Sequence, residues 1–162
     1  MRSDMMKLDF GGGGAICTIM NGIPPKSTEF VDAPLPRGFA EAPATWLPYV
    51  REGLSLAVVD KALSDGRISL AELDRLALSR KTLAHRRGLG FLTPDQSDRF
   101  SRLLRIIEEA EATFGDRGTA HTWLRRPTTL LDGEAPLDRL DTDIGTRQVE
   151  AILGRIAHGL AA

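Results

Sequence analysis

Residues 93–115 decide the fold of this chain, and they read TPDQSDRFSRLLRIIEEAEATFG. Thr93 is a helix N-cap residue, Pro94 suits the first helical position, and Gln96 can complete a capping box with Thr93. Gly115 is typical of a helix C-terminus. Between these signals, apolar residues recur at three- and four-residue spacing, as on the buried face of an amphipathic helix: Phe100, Leu103, Leu104, Ile107, Ala110 and Phe114. The stretch predicts one long helix.

Helical signals continue on both sides of this stretch. Ser69 and Ser79 are N-cap residues, and Ser69 with Glu72 forms a second capping box. Gly133 and Gly145 are interpreted as turns with positive φ between helices. The further predicted helices cover residues 54–63, 70–76, 80–87, 117–124, 137–140 and 146–159. No segment has a convincing strand pattern, so the predicted fold class is all-α.

Composition limits the classes of function. The chain has 162 residues, 42% of them apolar, and a formal net charge of −1. Any DNA binding must therefore come from a local basic patch and not from overall charge. Cys17 is the single cysteine, which excludes an intramolecular disulfide framework and suits a reducing cytoplasm. Residues 11–23 are apolar but too short and too rich in glycine to span a bilayer.

The first 49 residues differ in composition from the remainder. They contain a run of four glycines at 11–14 and most of the prolines, and both residue types oppose regular structure. We expect an irregular N-terminal arm, which either has no role or becomes ordered against a partner. The apolar residues Trp46, Leu47 and Tyr49 are expected to pack onto the helical body, and residues 16–23 could order on a partner in the same way.

Residues 70–87 have the spacing of a helix-turn-helix, two helices of about eight residues joined by a short turn. The second helix is basic, and its N-terminal end resembles what a recognition helix offers to the major groove and the flanking phosphates. The predicted DNA-binding residues are Ser79, Arg80, Lys81, Thr82, His85 and Arg86, with Arg87 adding charge. The alternative is a basic surface helix exposed to solvent.

Catalysis has little support in the sequence. His85, His121 and His158 are not spaced as metal ligands. The glycine run is not followed by the Gly-Lys-Ser/Thr of a phosphate loop, and no serine lies in a nucleophile elbow. We therefore expect a protein that is not an enzyme and that uses neither a cofactor nor a metal.

From about residue 50 onward the chain resembles the Xre-type antitoxins that accompany RES-domain toxins, the ParS/MbcA/Xre group. The resemblance rests on the order and spacing of a long series of short matches. The departures are Thr128, Asp132 and Ala135, where asparagine, glycine and threonine are common in the group. The matching residues include Arg51-Glu52-Gly53-Leu54, Leu78-Ser79-Arg80-Lys81-Thr82-Leu83, Ser97-Asp98-Arg99-Phe100, Phe114-Gly115-Asp116, Trp123-Leu124, Pro127, Gly133, Pro136-Leu137, Gly145, Val149, Leu153-Gly154-Arg155-Ile156 and His158-Gly159.

This resemblance implies a division of labour. Residues 50–92 would form the helix-turn-helix region that represses the antitoxin's own operon, and residues 93–162 would form the toxin-binding domain. The partner would be a RES-domain enzyme that consumes NAD or transfers ADP-ribose from it, inhibited sterically by a dimeric antitoxin that covers the NAD cleft. We expect toxin contacts from Trp46 and Tyr49 because they are apolar, and from Arg147, Arg155 and His158 because periodicity leaves them exposed.

Two other functions remain open on the sequence alone. A stand-alone transcriptional repressor would use residues 80–87 to bind DNA without a protein partner. A helical adaptor would bind neither DNA nor a toxin. Both alternatives make different predictions from the antitoxin when the neighbouring gene is co-expressed.

Overall fold

The computed structural model describes residues 43–159, so the glycine run, Cys17 and the apolar segment at 16–23 lie outside the described residues. Within this range the chain forms helices and no β-strand, which confirms the predicted all-α class. Two short 3₁₀ segments, Thr129–Leu131 and Pro136–Asp141, connect the last two helices. The α-helices are α1 Pro43–Glu52, α2 Leu56–Ser64, α3 Leu70–Leu76, α4 Arg80–Arg87, α5 Pro94–Phe114, α6 Arg117–Arg125 and α7 Asp143–Ala157.

The long helix α5 begins and ends where its capping residues predict. The Thr93 hydroxyl accepts a hydrogen bond from the Gln96 N–H (3.3 Å), and the Gln96 side chain accepts one from the Thr93 N–H (3.0 Å). Gly115 ends the helix in the left-handed conformation, with φ of 65°. Because both ends are satisfied locally, the limits of α5 can be predicted from the sequence.

Helix α5 forms the centre of one continuous apolar core. Phe100, Ile106 and Ile107 on α5 are fully buried, and α1, α6 and α7 pack around the helix. The same core extends into the α2–α4 region through residues such as Leu73 and Leu83. Phe114 is only half-buried and packs on Trp123, with ring centroids 5.5 Å apart. The helix-turn-helix region and the C-terminal region therefore share one hydrophobic core.

The prediction of an irregular arm is wrong for residues 43–49, which belong to α1. Pro43 stands at the first helical position, where a missing N–H has no cost, whereas Pro48 removes one internal hydrogen bond. Trp46 is only 4% exposed and packs against Tyr49. Removing a tryptophan side chain from water is worth at most about 4–6 kcal/mol, which is enough to offset the roughly 3 kcal/mol cost of an internal proline. Leu47 does not pack inward as expected, since it is 48% exposed.

The structure also corrects the starts of two helices. Helix α2 begins at Leu56 instead of Leu54, because the Ser55 hydroxyl caps it by accepting from the Ala57 N–H. Leu54 lies before the helix, and its backbone N–H donates a hydrogen bond to the Ser97 hydroxyl oxygen (2.8 Å). Helix α7 begins at Asp143 instead of Thr146, and Thr142 is its N-cap.

The role predicted for Gly145 is wrong, whereas the role predicted for Gly133 is confirmed. Gly133 has φ of 83° in the turn before Pro136. Gly145 lies inside α7, and a side chain there would clash with the backbone carbonyl of Arg139. The glycine is needed for the close approach of the 3₁₀ segment to α7, which a local reading of the sequence does not reveal.

Candidate functional site

Helices α3 and α4 form a helix-turn-helix, and a serine caps the start of each helix. Ser69 accepts from the Glu72 N–H and the Glu72 carboxylate accepts from the Ser69 N–H (2.8 Å), so the predicted capping box is present. The Ser79 hydroxyl accepts from the Thr82 N–H at the start of α4. Leu73, Leu76, Leu78 and Leu83 are buried beneath the pair, whereas Leu70, the first residue of α3, is exposed.

The side chains of the predicted DNA-binding residues differ in their exposure to solvent. Arg80, Lys81 and His85 are exposed on α4, and Arg86 is half-buried. The Ser79 and Thr82 hydroxyls lie 2.7 Å apart and hydrogen-bond to each other. The exposed basic surface of α4 therefore consists of Arg80, Lys81, His85 and Arg87, which we call the α4 surface.

Carboxylates from neighbouring helices contact two of the arginines of the α4 surface. Asp74, at the end of α3, accepts a hydrogen bond from the Arg80 backbone N–H (2.7 Å), and its other oxygen lies 3.5 Å from Arg80 Nε. Asp60, on α2, lies 3.0 Å from Arg87 Nη2. Each end of α4 is thus paired with a carboxylate from a different helix.

A second surface follows the solvent side of α7. The predicted residues Arg147, Arg155 and His158 are all exposed, and Arg147 pairs with Asp143 at 2.9 Å. The His158 ring Nδ1 lies 2.7 Å from the Gly154 carbonyl oxygen. Ile144, in the first turn of α7, is 75% exposed. It lies off the buried stripe of α7, so an isoleucine among polar neighbours was the sequence signal that could have identified it.

A groove joins the start of α7 to α1. It has a volume of about 320 Å³, and both apolar and charged side chains line it. Trp46 forms part of its wall and is otherwise buried, Tyr49 packs behind Trp46, and Leu47 stands at its edge. The groove thus brings the predicted residue Trp46 near Asp143, the partner of Arg147. Arg155 and His158 lie at the opposite end of α7. The lining residues are Trp46, Leu47, Val50, Asp98, Ser101, Arg102, Arg105 and Asp143.

Ion pairs connect the helix-turn-helix to the C-terminal helices. Arg125 on α6 donates to both oxygens of the Glu72 carboxylate, at 2.7 and 3.0 Å. Arg67, in the turn before α3, contacts Glu108 on α5 at 2.6 Å. Burial raises the pKa of Glu72, but the hydrogen bonds from Arg125 and Ser69 outweigh it, so the pKa lies below its ordinary value. We call this group of contacts the polar seam.

Glu109, on the outer side of α5, has the opposite shift. Its pKa is raised, first by burial and then by the negative charge of Glu150, while Arg105 opposes the shift. Ionised Glu109 is therefore less favourable in the folded chain than in the unfolded chain. Neither carboxylate belongs to a metal site, since no group of three or more His, Cys, Asp or Glu side chains within residues 43–159 could hold a metal. Among the described helices, none combines the length and the hydropathy that a membrane span requires.

Comparisons with known proteins match both halves of the chain. A family model described as the antitoxin Xre-like helix-turn-helix domain covers residues 45–105. A second, described as the antitoxin Xre/MbcA/ParS C-terminal toxin-binding domain, covers residues 109–159. The chain is 33% identical over 116 residues to an antitoxin Xre of Photorhabdus laumondii, covering 70% of this chain and 78% of that protein. An antitoxin Xre of Yersinia enterocolitica is 32% identical over 114 residues, 68% of this chain and 77% of the relative.

Proposed function

Because the chain belongs to the Xre family of antitoxins, with a helix-turn-helix domain and a toxin-binding domain, we propose that it sterically inhibits a RES-domain toxin. The toxin would be an enzyme that consumes NAD or transfers ADP-ribose from it, and the antitoxin would cover the NAD cleft. The motif series between Arg51 and Gly159 supports this choice of partner. Inhibition of this kind needs a fitting surface and no chemistry on the antitoxin.

One observation carries the toxin-binding part of the proposal. The groove and the outer side of α7 form a surface that combines exposed apolar side chains, Leu47 and Ile144, with the cations Arg147 and Arg155. Protein interfaces characteristically combine an apolar centre with a charged rim. The outer side of α7 lies within residues 109–159, the range that matches a toxin-binding domain, whereas α1 and α5 supply most of the groove lining. Trp46 would act by supporting the groove, since its side chain is almost entirely buried. We define this surface as the α7 surface.

The α4 surface carries the DNA-binding part. We propose that Arg80, Lys81, His85 and Arg87 contact the operator of the antitoxin's own operon, with Ser79 and Thr82 available once their mutual hydrogen bond opens. Residues 50–92 would provide this function and residues 93–162 the toxin contacts. A dimeric antitoxin could hold two toxins and read two operator half-sites in the cytoplasm, and phosphate contacts would supply much of the affinity.

Co-expression with the product of the neighbouring gene tests the proposal. The neighbour is induced with and without this chain, and growth and cellular NAD are followed. We expect the neighbour alone to stop growth and deplete NAD, and the chain to restore both. Growth arrest without NAD depletion would reject a toxin that consumes the NAD pool and keep the antitoxin. No growth effect from the neighbour would reject this gene product as the partner.

A further inference from the structure

The two carboxylates at the ends of α4 occupy the groups that a DNA backbone would use. A phosphate at the start of a recognition helix binds backbone N–H groups and a nearby guanidinium. Asp74 already accepts from the Arg80 N–H at 2.7 Å and lies 3.5 Å from the Arg80 guanidinium. At the other end of the helix, Asp60 holds Arg87 at 3.0 Å. A phosphate reaching either arginine must approach a negative charge.

Folding stability does not explain these contacts. The side chains of the Arg80–Asp74 pair are 63% and 40% exposed, and those of the Arg87–Asp60 pair are 55% and 52% exposed. Ion pairs with this exposure contribute little to stability, because water screens them and long side chains lose freedom when they pair. A neutral acceptor can also make the hydrogen bond to the Arg80 N–H, so the negative charge of Asp74 adds only the small stabilisation that an exposed anion gives a helix N-terminus.

We propose that Asp60 and Asp74 compete with DNA phosphates for Arg87 and Arg80 and thereby weaken the binding of the antitoxin to DNA of any sequence. The inference rests on α4 as the DNA-contacting helix. Non-specific affinity depends on the number of phosphates that cations neutralise, and each one increases the salt dependence of binding. The two paired arginines leave Lys81 as the cation of the α4 surface that lacks an ion pair within the described part of the chain.

The consequence is that DNA affinity depends more strongly on the base sequence of the duplex. When arginines are restrained by nearby carboxylates, contacts with phosphate alone yield less affinity, and contacts with base edges become a larger share of the total. A protein with net charge −1 that must find one operator among many competing sites benefits from this restraint. Asp60 and Asp74 are in this sense specificity-determining residues that never contact a base.

The test compares Asp74→Asn and Asp60→Asn with the unchanged antitoxin. Asparagine keeps an oxygen that can accept from the Arg80 N–H and removes only the charge. Fluorescence anisotropy measures the affinity for a duplex from the antitoxin's own promoter region and for an unrelated duplex of the same length, across a series of salt concentrations. We expect each variant to bind the unrelated duplex about 3–10-fold more tightly at low salt, with a log–log salt slope steeper by about 1.

The matched control is Asp132→Asn, which changes the net charge equally. Asp132 is exposed and pairs with Arg139 at 3.2 Å in the C-terminal region. We expect its DNA affinity to stay within about 2-fold of the unchanged protein, because its charge lies outside the helix-turn-helix and is screened by salt. An equal gain in the control would overturn the proposal, since net charge alone would then explain the effect.

The remaining outcomes are distinct. If the unchanged antitoxin binds DNA and neither variant differs from it in affinity or slope, the competition proposal is wrong and DNA binding stands. If the unchanged antitoxin binds neither duplex even at low salt, the DNA-binding part of the proposed function fails together with the competition proposal, and the toxin-binding part is unaffected. Thermal unfolding verifies that the variants fold, and if Asp74→Asn is unstable, Asp60→Asn decides the question alone.

Discussion

The α4 surface and the α7 surface differ in the chemistry of their side chains, although both belong to elements that share one core. The one large apolar side chain of α4, Leu83, is buried, so the α4 surface consists of basic side chains. The α7 surface adds exposed Ile144 and Leu47 to its cations. Binding through charges weakens steeply with salt, whereas burial of apolar area is nearly insensitive to it. If the α4 surface binds DNA and the α7 surface binds the toxin, as we propose, mutation and ionic strength should separate the two activities.

The largest expected effect is a loss of stability that weakens both binding activities at once, because both surfaces depend on α5. Phe100 is fully buried at the centre of the shared core. Phe100→Ala should lower the free energy of unfolding by about 3–5 kcal/mol and weaken DNA binding and toxin binding together. Urea denaturation followed by circular dichroism measures the loss.

Leu130→Ala is the control for this variant. Leu130 is largely exposed in the first 3₁₀ segment, so its loss should change stability by less than about 0.5 kcal/mol. If Phe100→Ala removed one binding activity and left the other intact, the two regions would not share one cooperative core.

Ile144→Asp should have the next largest effect, and it should weaken toxin binding without weakening DNA binding. An apolar anchor at the centre of an interface typically contributes 2 kcal/mol or more, so toxin affinity should fall by about 30-fold or more. DNA affinity should remain within about 2-fold. Titration calorimetry with the purified toxin measures the change.

Leu70→Asp is the matched control, since Leu70 is an exposed leucine at the start of α3 and outside the α7 surface. Its toxin affinity should not change. Equal losses for both variants would show that added negative charge, and not the loss of Ile144, weakens the complex.

Arg80→Ala should have the reciprocal effect on the other surface. Losing one good base contact costs about 1–3 kcal/mol, and losing a phosphate contact lowers the salt slope by about 1. Toxin affinity should be unaffected. Arg155→Ala, which removes an exposed cation from α7, is the paired variant, and it should weaken toxin binding alone. Unchanged promoter binding by Arg80→Ala would remove Arg80 from the contact surface.

Local interactions explain which of these features the sequence could predict. The caps at Ser69, Ser79 and Thr93 join residues three positions apart, so the helix-turn-helix and α5 were predicted with nearly correct limits. Helix α1 was not predicted, because its stability comes from burying Trp46 against distant residues. The same reason explains Gly145, whose neighbour is the Arg139 backbone of another segment.

The candidate sites follow the same rule. The basic residues of α4 are adjacent in sequence and were identified, whereas their partners required the fold. Asp60 precedes Arg87 by 27 positions, and the polar seam joins Glu72 to Arg125 across 53. Ile144 was missed because the last helix was predicted to begin at Thr146, so Ile144 lay outside the segment whose faces periodicity separates.

The smallest effects concern two carboxylates with opposite pKa shifts, Glu72 in the polar seam and Glu109 on α5. Because the pKa of Glu72 is lowered in the folded chain, its contribution to stability is present above the ordinary value of 4.5 and is lost as the pH falls. Because the pKa of Glu109 is raised, ionisation destabilises the fold as the pH rises above 4.5. Glu72→Gln should therefore destabilise the protein at pH 7, and Glu109→Gln should stabilise it by less than about 1 kcal/mol.

Thermal unfolding between pH 4 and pH 7 tests both signs at once. The unfolding midpoint of Glu109→Gln should exceed that of the unchanged protein at pH 7 and converge with it toward pH 4, because protonation of Glu109 increases in both the folded and the unfolded chain. The deficit of Glu72→Gln should also shrink toward pH 4. Glu52→Gln, at the exposed end of α1, supplies the control for a lost surface charge. A Glu109→Gln variant less stable than the unchanged protein at pH 7 would mean that Arg105 outweighs burial and Glu150, and the charge balance between α5 and α7 would need revision.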